Sequence, residues 1–218
     1  MAKEREISRK SGVLAIAAGA VLILSALFLF HHNRLDDVRA GQQAGHLLAD
    51  IEAAIANAPV NDTTSNECGD TASSGLDRSY VDDPELPTVI LDGYGYVGYL
   101  GIPALALELP VMSEWDYDRL KIAPCRQFGS SRTDDLVIAA HNYQSHFGRL
   151  KELIAGDTVI FTDMDGLSNT YSVEDIRILQ PTEIGSVQDS GFDLVLYTCT
   201  YGGKSRVTVF CSRVSDTD

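Results

Sequence analysis

The chain has 218 residues, with 31 acidic against 17 basic side chains and a formal net charge of −14. A surface this negative repels a phosphate backbone, which argues against nucleic acid as a partner. Once an apolar segment and a polar stretch are set aside, about 130 residues remain, the size of one globular domain.

Gly12 to Phe30 is a run of 19 residues whose only polar side chain is Ser25. At about 1.5 Å per residue a helix of that length spans roughly the hydrocarbon core of a bilayer. Lys3, Arg5, Arg9 and Lys10 precede the run, and Asp36 and Asp37 follow it. The positive-inside tendency keeps the basic end in the cytoplasm and sends the remaining chain outside. Leu27-Phe28-Leu29-Phe30-His31-His32 offers no small-residue cleavage site, so the segment reads as an uncleaved anchor rather than a secretory signal. The expected organisation is a cytoplasmic N-terminus over 1–11, a transmembrane anchor over 12–30, a juxtamembrane helix and flexible linker over 31–87, and a folded domain over 88–218.

Between Arg34 and Ala56, apolar residues recur at helical spacing. Leu47, Leu48, Ile51, Ala54 and Ile55 would form one stripe, able to pack on the domain or on another copy. Residues 57–87 carry few bulky apolar groups to offset the entropy of ordering, and read as a linker or stalk. Cys68 lies in it and is given no role.

From Val89 the texture becomes β-like. Tyr96 to Ile102, Leu105 to Val111 and Leu136 to Ala140 read as strands. Asp157 to Phe161 and Asn169 to Val173 flank Asp165-Gly166, a hairpin signal. Asp193 to Thr198 and Arg206 to Cys211 form a second candidate hairpin. With brief helical stretches only near Trp115 to Leu120 and Phe147 to Ile154, this pattern is mainly β and points to a small barrel or sandwich.

The four cysteines, at 68, 125, 199 and 211, include no C-x-x-C pair and no zinc-like spacing, so neither a metal nor another cofactor is assigned. Disulfides between them remain open. Asp134, Asp135, Asp163 and Asp165 read as a solvated acidic face rather than a calcium site.

Cys199 closes an apolar strand beside a Gly-rich loop. Taken alone it reads more readily as a buried apolar cysteine than as a nucleophile. His141 closes Leu136-Val137-Ile138-Ala139-Ala140 in the same manner. An imidazole beside a thiol acts as base or as cationic partner and can later protonate a leaving amine. The competing role is a hydrogen bond at a strand end. His146 sits in what reads as a turn entering a helix, which suits a surface or capping role. By alternation Arg206 shares a face with Thr208 and Phe210, with Cys211 on the opposite, core face. Its guanidinium is suited to binding carbonyls and an oxyanion, or to balancing an acidic surface, and Arg213 is a lesser alternative.

Val195-Leu196-Tyr197-Thr198-Cys199 followed by Arg206-Val207-Thr208-Val209 resembles the sortase signature Thr-Leu-x-Thr-Cys with a downstream Arg. The resemblance extends over about Tyr96 to Val214, in the order His, Cys, Arg. Val195 stands where Thr is common, Ala140 replaces a frequent Gly, and six residues separate Cys199 from Arg206. The resemblance implies an eight-stranded β-barrel preceded by the transmembrane helix and stalk. It implies Cys199 as nucleophile, His141 as general acid or base and Arg206 as carbonyl and oxyanion binder. The implied activity is transpeptidation: cleavage of a C-terminal sorting motif of secreted proteins through a thioacyl enzyme, then transfer to an amine of a cell-wall precursor or a pilin. It also implies a single-pass protein on the outer face of a Gram-positive cell. Asp83-Pro84-Glu85 only partly matches the lid motif of pilus-building sortases, and Asn142 to Leu150 looks somewhat like another subclass. Two further readings are a noncatalytic membrane-anchored β-domain for surface interaction and another cell-wall cysteine peptidase or L,D-transpeptidase, the last disfavoured because Thr198-Cys199-Thr200 does not match its Ser-x-Gly-Cys-x-Arg motif.

Overall fold

The computed structural model describes residues 2–57, 84–183 and 185–215, with the backbone alone for residues 2–14. Cys68 and Asp83 therefore fall outside the described residues, as does nearly all of the expected linker. The chain divides into two units, residues 1–39 and 40–218.

Helix α1 runs over Ala2–Ala56. In the first unit its apolar side chains stand bare, Leu22 at 71% and Phe30 at 67% exposure. A run that is hydrophobic on every side has the character of a membrane anchor. Among the described residues, α1 is the one helix long and apolar enough to cross a membrane, judged by length and composition.

In the second unit the same helix is amphipathic. Ala40, Ala44, Leu47 and Ile51 are buried, at the alternating spacing of four and three that lines one helical face. Leu47 and Ile51 join a cluster with Tyr96, Met112, Ala123, Cys125 and Met164, flanked by half-buried Ala54 and Ile55. The stripe thus packs on the domain. Its first members, Ala40 and Ala44, carry too little apolar surface to stand out in the sequence. Gly41 permits a close approach, since a Cβ there would lie 3.0 Å from Cβ of Ser145.

Among the described residues nine strands follow: β1 (Val89–Leu91), β2 (Tyr94–Ile102), β3 (Leu107–Met112), β4 (Cys125–Phe128), β5 (Leu136–Ala140), β6 (Thr158–Asp163), β7 (Ser168–Leu179), β8 (Leu194–Cys199) and β9 (Arg206–Arg213). Their order is β1-β2-β3-β4-β5-β8-β9-β7-β6, with β6 also paired to β2. That last pairing closes β2 to β9 into an eight-stranded barrel, with β1 appended to β2 as an extra hairpin strand. Closure removes exposed sheet edges. Gly98 sits where it happens: it pairs with Val111 on one side and Asp163 on the other, beside a bulge. Its φ of +148°, with Thr162 O 2.0 Å from where a Cβ would be, admits only glycine.

Alternation sorts the side chains into two sets. Leu136, Ile138, Ala140, Leu194, Leu196, Val207, Val209 and Cys211 point into the barrel core with Phe147, Phe161 and Tyr171. Val137, Val195 and Phe210 point outward, where Phe128, Leu179, Val187, Phe192 and Tyr197 pack over them. This outer face carries the residues of interest.

Both expected hairpins form, β6 with β7 and β8 with β9. Cys125 opens β4 and is fully buried. One local expectation needs correction. His146 is neither at the surface nor a helix cap: it is fully buried in a turn, edge-on to Tyr143 at 5.5 Å. The helical stretches shrink to 3-10 turns at Arg119–Lys121 and Leu150–Glu152.

Candidate active site

Strands β5 and β8 are parallel neighbours, with Ala140 beside Thr198. His141 and Cys199 are the next residue of each chain, so they leave adjacent strands at the same level, roughly 4.8 Å apart as strand spacing dictates. Thr198 fixes that level, its Oγ1 donating to the Ala140 carbonyl at 2.9 Å in the buried interior. Thr198→Val should lower stability by about 1 kcal/mol, read as a urea midpoint, and should reduce any activity that depends on the His141–Cys199 register.

Cys199 pairs directly with Arg206 across β8 and β9. Directly opposed residues project to the same side of a sheet, about 4.5–5.5 Å apart. By parity this is the outer side, shared with Val195, Tyr197 and Phe210. Arg213, the alternative, pairs with Tyr171 at the other end of β9, seven positions or roughly 23 Å away. There it donates to Asp134 at 2.7 Å and to Asn169, and lies over the Tyr171 ring. It ties the far end of the barrel together.

The loop between Cys199 and Arg206 is short and self-bonded. Thr200 N donates to Ser205 O at 2.9 Å, Ser205 N returns to Thr200 Oγ1 at 3.1 Å, and Gly203 N reaches Thr200 O at 2.8 Å. The Arg206 guanidinium rests on this loop, Nη1 donating to Gly203 O and Ser205 O, each at 3.3 Å. Two neutral carbonyls at that length are weak partners, so the guanidinium keeps donors to spare.

Burial pushes the His141 imidazole below its usual range, and the Lys121 ammonium acts in the same direction while a hydrogen bond with Asn142 opposes. The neutral ring is therefore favoured near pH 7. Tyr143 stacks on it, centroids 4.1 Å apart and planes 11° off parallel. Tyr197 shares the Cys199 face and bonds through its hydroxyl to Gln127 of β4, reaching past the small Ala139 of the strand between. Burial raises its phenol to about 12, so it stays a neutral donor.

Cys125, Cys199 and Cys211 are all unbridged. Burial raises the thiols of Cys125 and Cys211 to about 12 each. Cys199 is the one half-exposed cysteine among the described residues, the setting in which a thiol can react.

The acidic residues near the β6–β7 turn are engaged with arginines. Arg132 bridges Asp163 at 3.1 Å and Asp165, and Arg213 holds Asp134. Asp163 is fully buried rather than solvated, its Oδ1 accepting from the amides of Asp165 and Leu167 at 3.0 Å each.

The fold and the site together define a closed β-barrel with a candidate thiol centre on its outer face, at the ends of two parallel strands. The family described as Sortase domain matches residues 100–214. This chain belongs to the sortase family, whose members are cysteine transpeptidases. Among solved structures it is similar to sortase C1 of Streptococcus agalactiae, with a TM-score of 0.50 and 27% identity over 59% of this chain and 72% of that one. It is similar to sortase C1 of Streptococcus suis, with a TM-score of 0.50 and 25% identity over 56% and 74% of the two chains. Sortase C of Clostridium perfringens SM101 matches at a TM-score of 0.46 and 23% identity, over 55% and 70%. No curated protein sequence matches the chain.

Proposed function

We propose that this sortase is a membrane-anchored transpeptidase that uses Cys199, His141 and Arg206. It cleaves a C-terminal sorting motif of secreted proteins and passes the acyl group to an amine of the cell wall or of a pilin. The observation that carries the reading is the register: Cys199 lies opposite Arg206 and one residue beyond the Thr198–Ala140 tie that levels it with His141.

In this mechanism Cys199 Sγ attacks the carbonyl of the scissile peptide bond while its proton passes to the neutral His141 ring. The carbonyl oxygen takes up negative charge, and the Arg206 guanidinium turns its spare donors to it. Collapse breaks the C–N bond, His141 returns the proton to the leaving amine, and a thioester to Cys199 remains. An incoming amine attacks the thioester, gives its proton to His141 and releases the thiol. Arg206→Lys should lower kcat/KM by about 10²-fold, because an ammonium cannot supply the planar fork that the developing oxyanion uses. Steady-state kinetics on a fluorogenic motif peptide reads it.

The anchor over 12–30 places the N-terminus in the cytoplasm and the barrel outside, where sorting signals and wall amines meet. The unbridged, half-exposed Cys199 supports an enzyme over a noncatalytic display domain. The test is incubation of the full chain in detergent with a library of sorting-motif peptides and either a glycine or a diamine nucleophile. Cleavage within the motif, with the amine joined to the new C-terminus, supports the reading. Intact peptides throughout, from folded protein with a free Cys199 thiol, overturn it.

A further inference from the structure

The turn after β5 is fixed from several sides, and an aromatic ring is fixed with it. The Tyr143 carbonyl accepts the amides of His146 at 3.0 Å and Gly148 at 2.8 Å, while the His141 carbonyl accepts the amide of Phe147 at 3.3 Å. A Cβ at Gly148 would lie 2.6 Å from Asn142 O, so the turn closes this tightly only with glycine there. Phe147 and His146 are fully buried, and Ser145 meets Gly41 of α1. Held this way, the Tyr143 ring lies flat on His141 at 4.1 Å, with the His146 ring edge-on behind it at 5.5 Å.

We infer that Tyr143 is a positioning residue for His141: the stacked ring fixes the plane of the imidazole so that it faces Cys199. A strand-end histidine otherwise rotates about two side-chain bonds, and proton transfer requires it within hydrogen-bond reach of its partner. The inference rests on the proposed role of His141. The stack also bears on charge, because a π face favours an imidazolium lying on it. The groups disposed about His141 are Tyr143 and the hydrogen-bonded Asn142 from its own turn, with His146 against Tyr143, then Lys121 with its partner Asp118 from the 3-10 turn, and Cys199 on the neighbouring strand β8. Burial, and after it Lys121, disfavours the imidazolium, while the Asn142 hydrogen bond favours it, and the Tyr143 face adds to the favouring side.

The experiment uses the full chain in detergent with two substitutions. Tyr143→Phe keeps the ring and should hold kcat within about 3-fold. Tyr143→Leu keeps bulk without a π face. It should lower kcat by roughly 10²-fold with KM little changed, the cost of a misplaced catalytic group, and move the His141 titration to lower pH. The His141 ring protons of the Cys199→Ala variant, followed by NMR, should show an upfield ring-current shift that Leu removes and Phe keeps. This readout needs no activity, so it stands apart from any failure of the transpeptidase reading. Wild-type kcat and pH profile in the Leu variant would overturn the inference, as would an equal loss in Phe and Leu. Should Leu not fold, the ring-current shift and the Phe variant decide: His141 protons at unstacked positions overturn it, and shifted protons with an active Phe variant uphold it.

Discussion

Cys199→Ala is expected to abolish transpeptidation, a loss on the order of 10⁴- to 10⁶-fold in kcat, while leaving the fold intact. The reason lies in what remains among the described residues. Cys125 and Cys211 are fully buried with thiols raised to about 12, so neither can substitute as nucleophile. Cys199 is at a strand end and half-exposed, so losing its sulfur opens no cavity in the barrel. The check is a pair of measurements on one preparation: product formation by mass spectrometry, and a thermal melt. Activity should vanish at an unchanged melting temperature. A melting temperature lowered by many degrees would instead mark Cys199 as a packing residue.

His141→Gln is expected to lower kcat/KM by roughly 10²- to 10⁴-fold, the usual contribution of a positioned acid or base. Glutamine keeps hydrogen bonding without a transferable proton, so the loss measures proton transfer. The pH dependence carries a sign. Burial holds the folded His141 below the ordinary histidine value, so the neutral ring persists as the medium is acidified past that value. Activity that needs a neutral base should fall along a limb on the acid side of the ordinary histidine range. Stability runs the same way: the unfolded chain binds this proton first, so the contribution is present above the ordinary value and is lost as the pH falls below it. The glutamine variant should show no such limb. A limb of unchanged position in His141→Gln would assign it to another group.

Much of the barrel is legible in the sequence because its signals are local. β-branched and aromatic runs mark β2, β5, β8 and β9, and Asp165-Gly166 marks the turn between β6 and β7. The short β4 is hidden because Cys125-Arg126-Gln127-Phe128 is half polar and follows a proline, so its pairing to β5 is decided by the tertiary fold. The docking of α1 through Ala40 and Ala44 is faint for want of apolar surface, though Leu47 and Ile51 foretell it. His146 misleads because a titratable residue in a turn suggests water, while its ring is buried behind Tyr143.

The candidate site shows the same division. Cys199 opposite Arg206 follows from a hairpin, which sequence can suggest. His141 beside Cys199 follows from a parallel pairing between strands 58 residues apart, Ala140 to Thr198, for which no local signal exists. Only the ordered resemblance to sortases anticipates it. The Tyr143 stack is a side-chain arrangement, and nothing in the spacing of His141 and Tyr143 announces two parallel rings.

The most direct test is to quench the full chain in acid during turnover of a sorting-motif peptide and weigh it intact. The account predicts a mass increase equal to the N-terminal part of the cleaved motif. That adduct should be held as a thioester, mapped to Cys199 by peptide sequencing, and absent from Cys199→Ala. Turnover with no adduct on Cys199, or an adduct on any other residue, would contradict it.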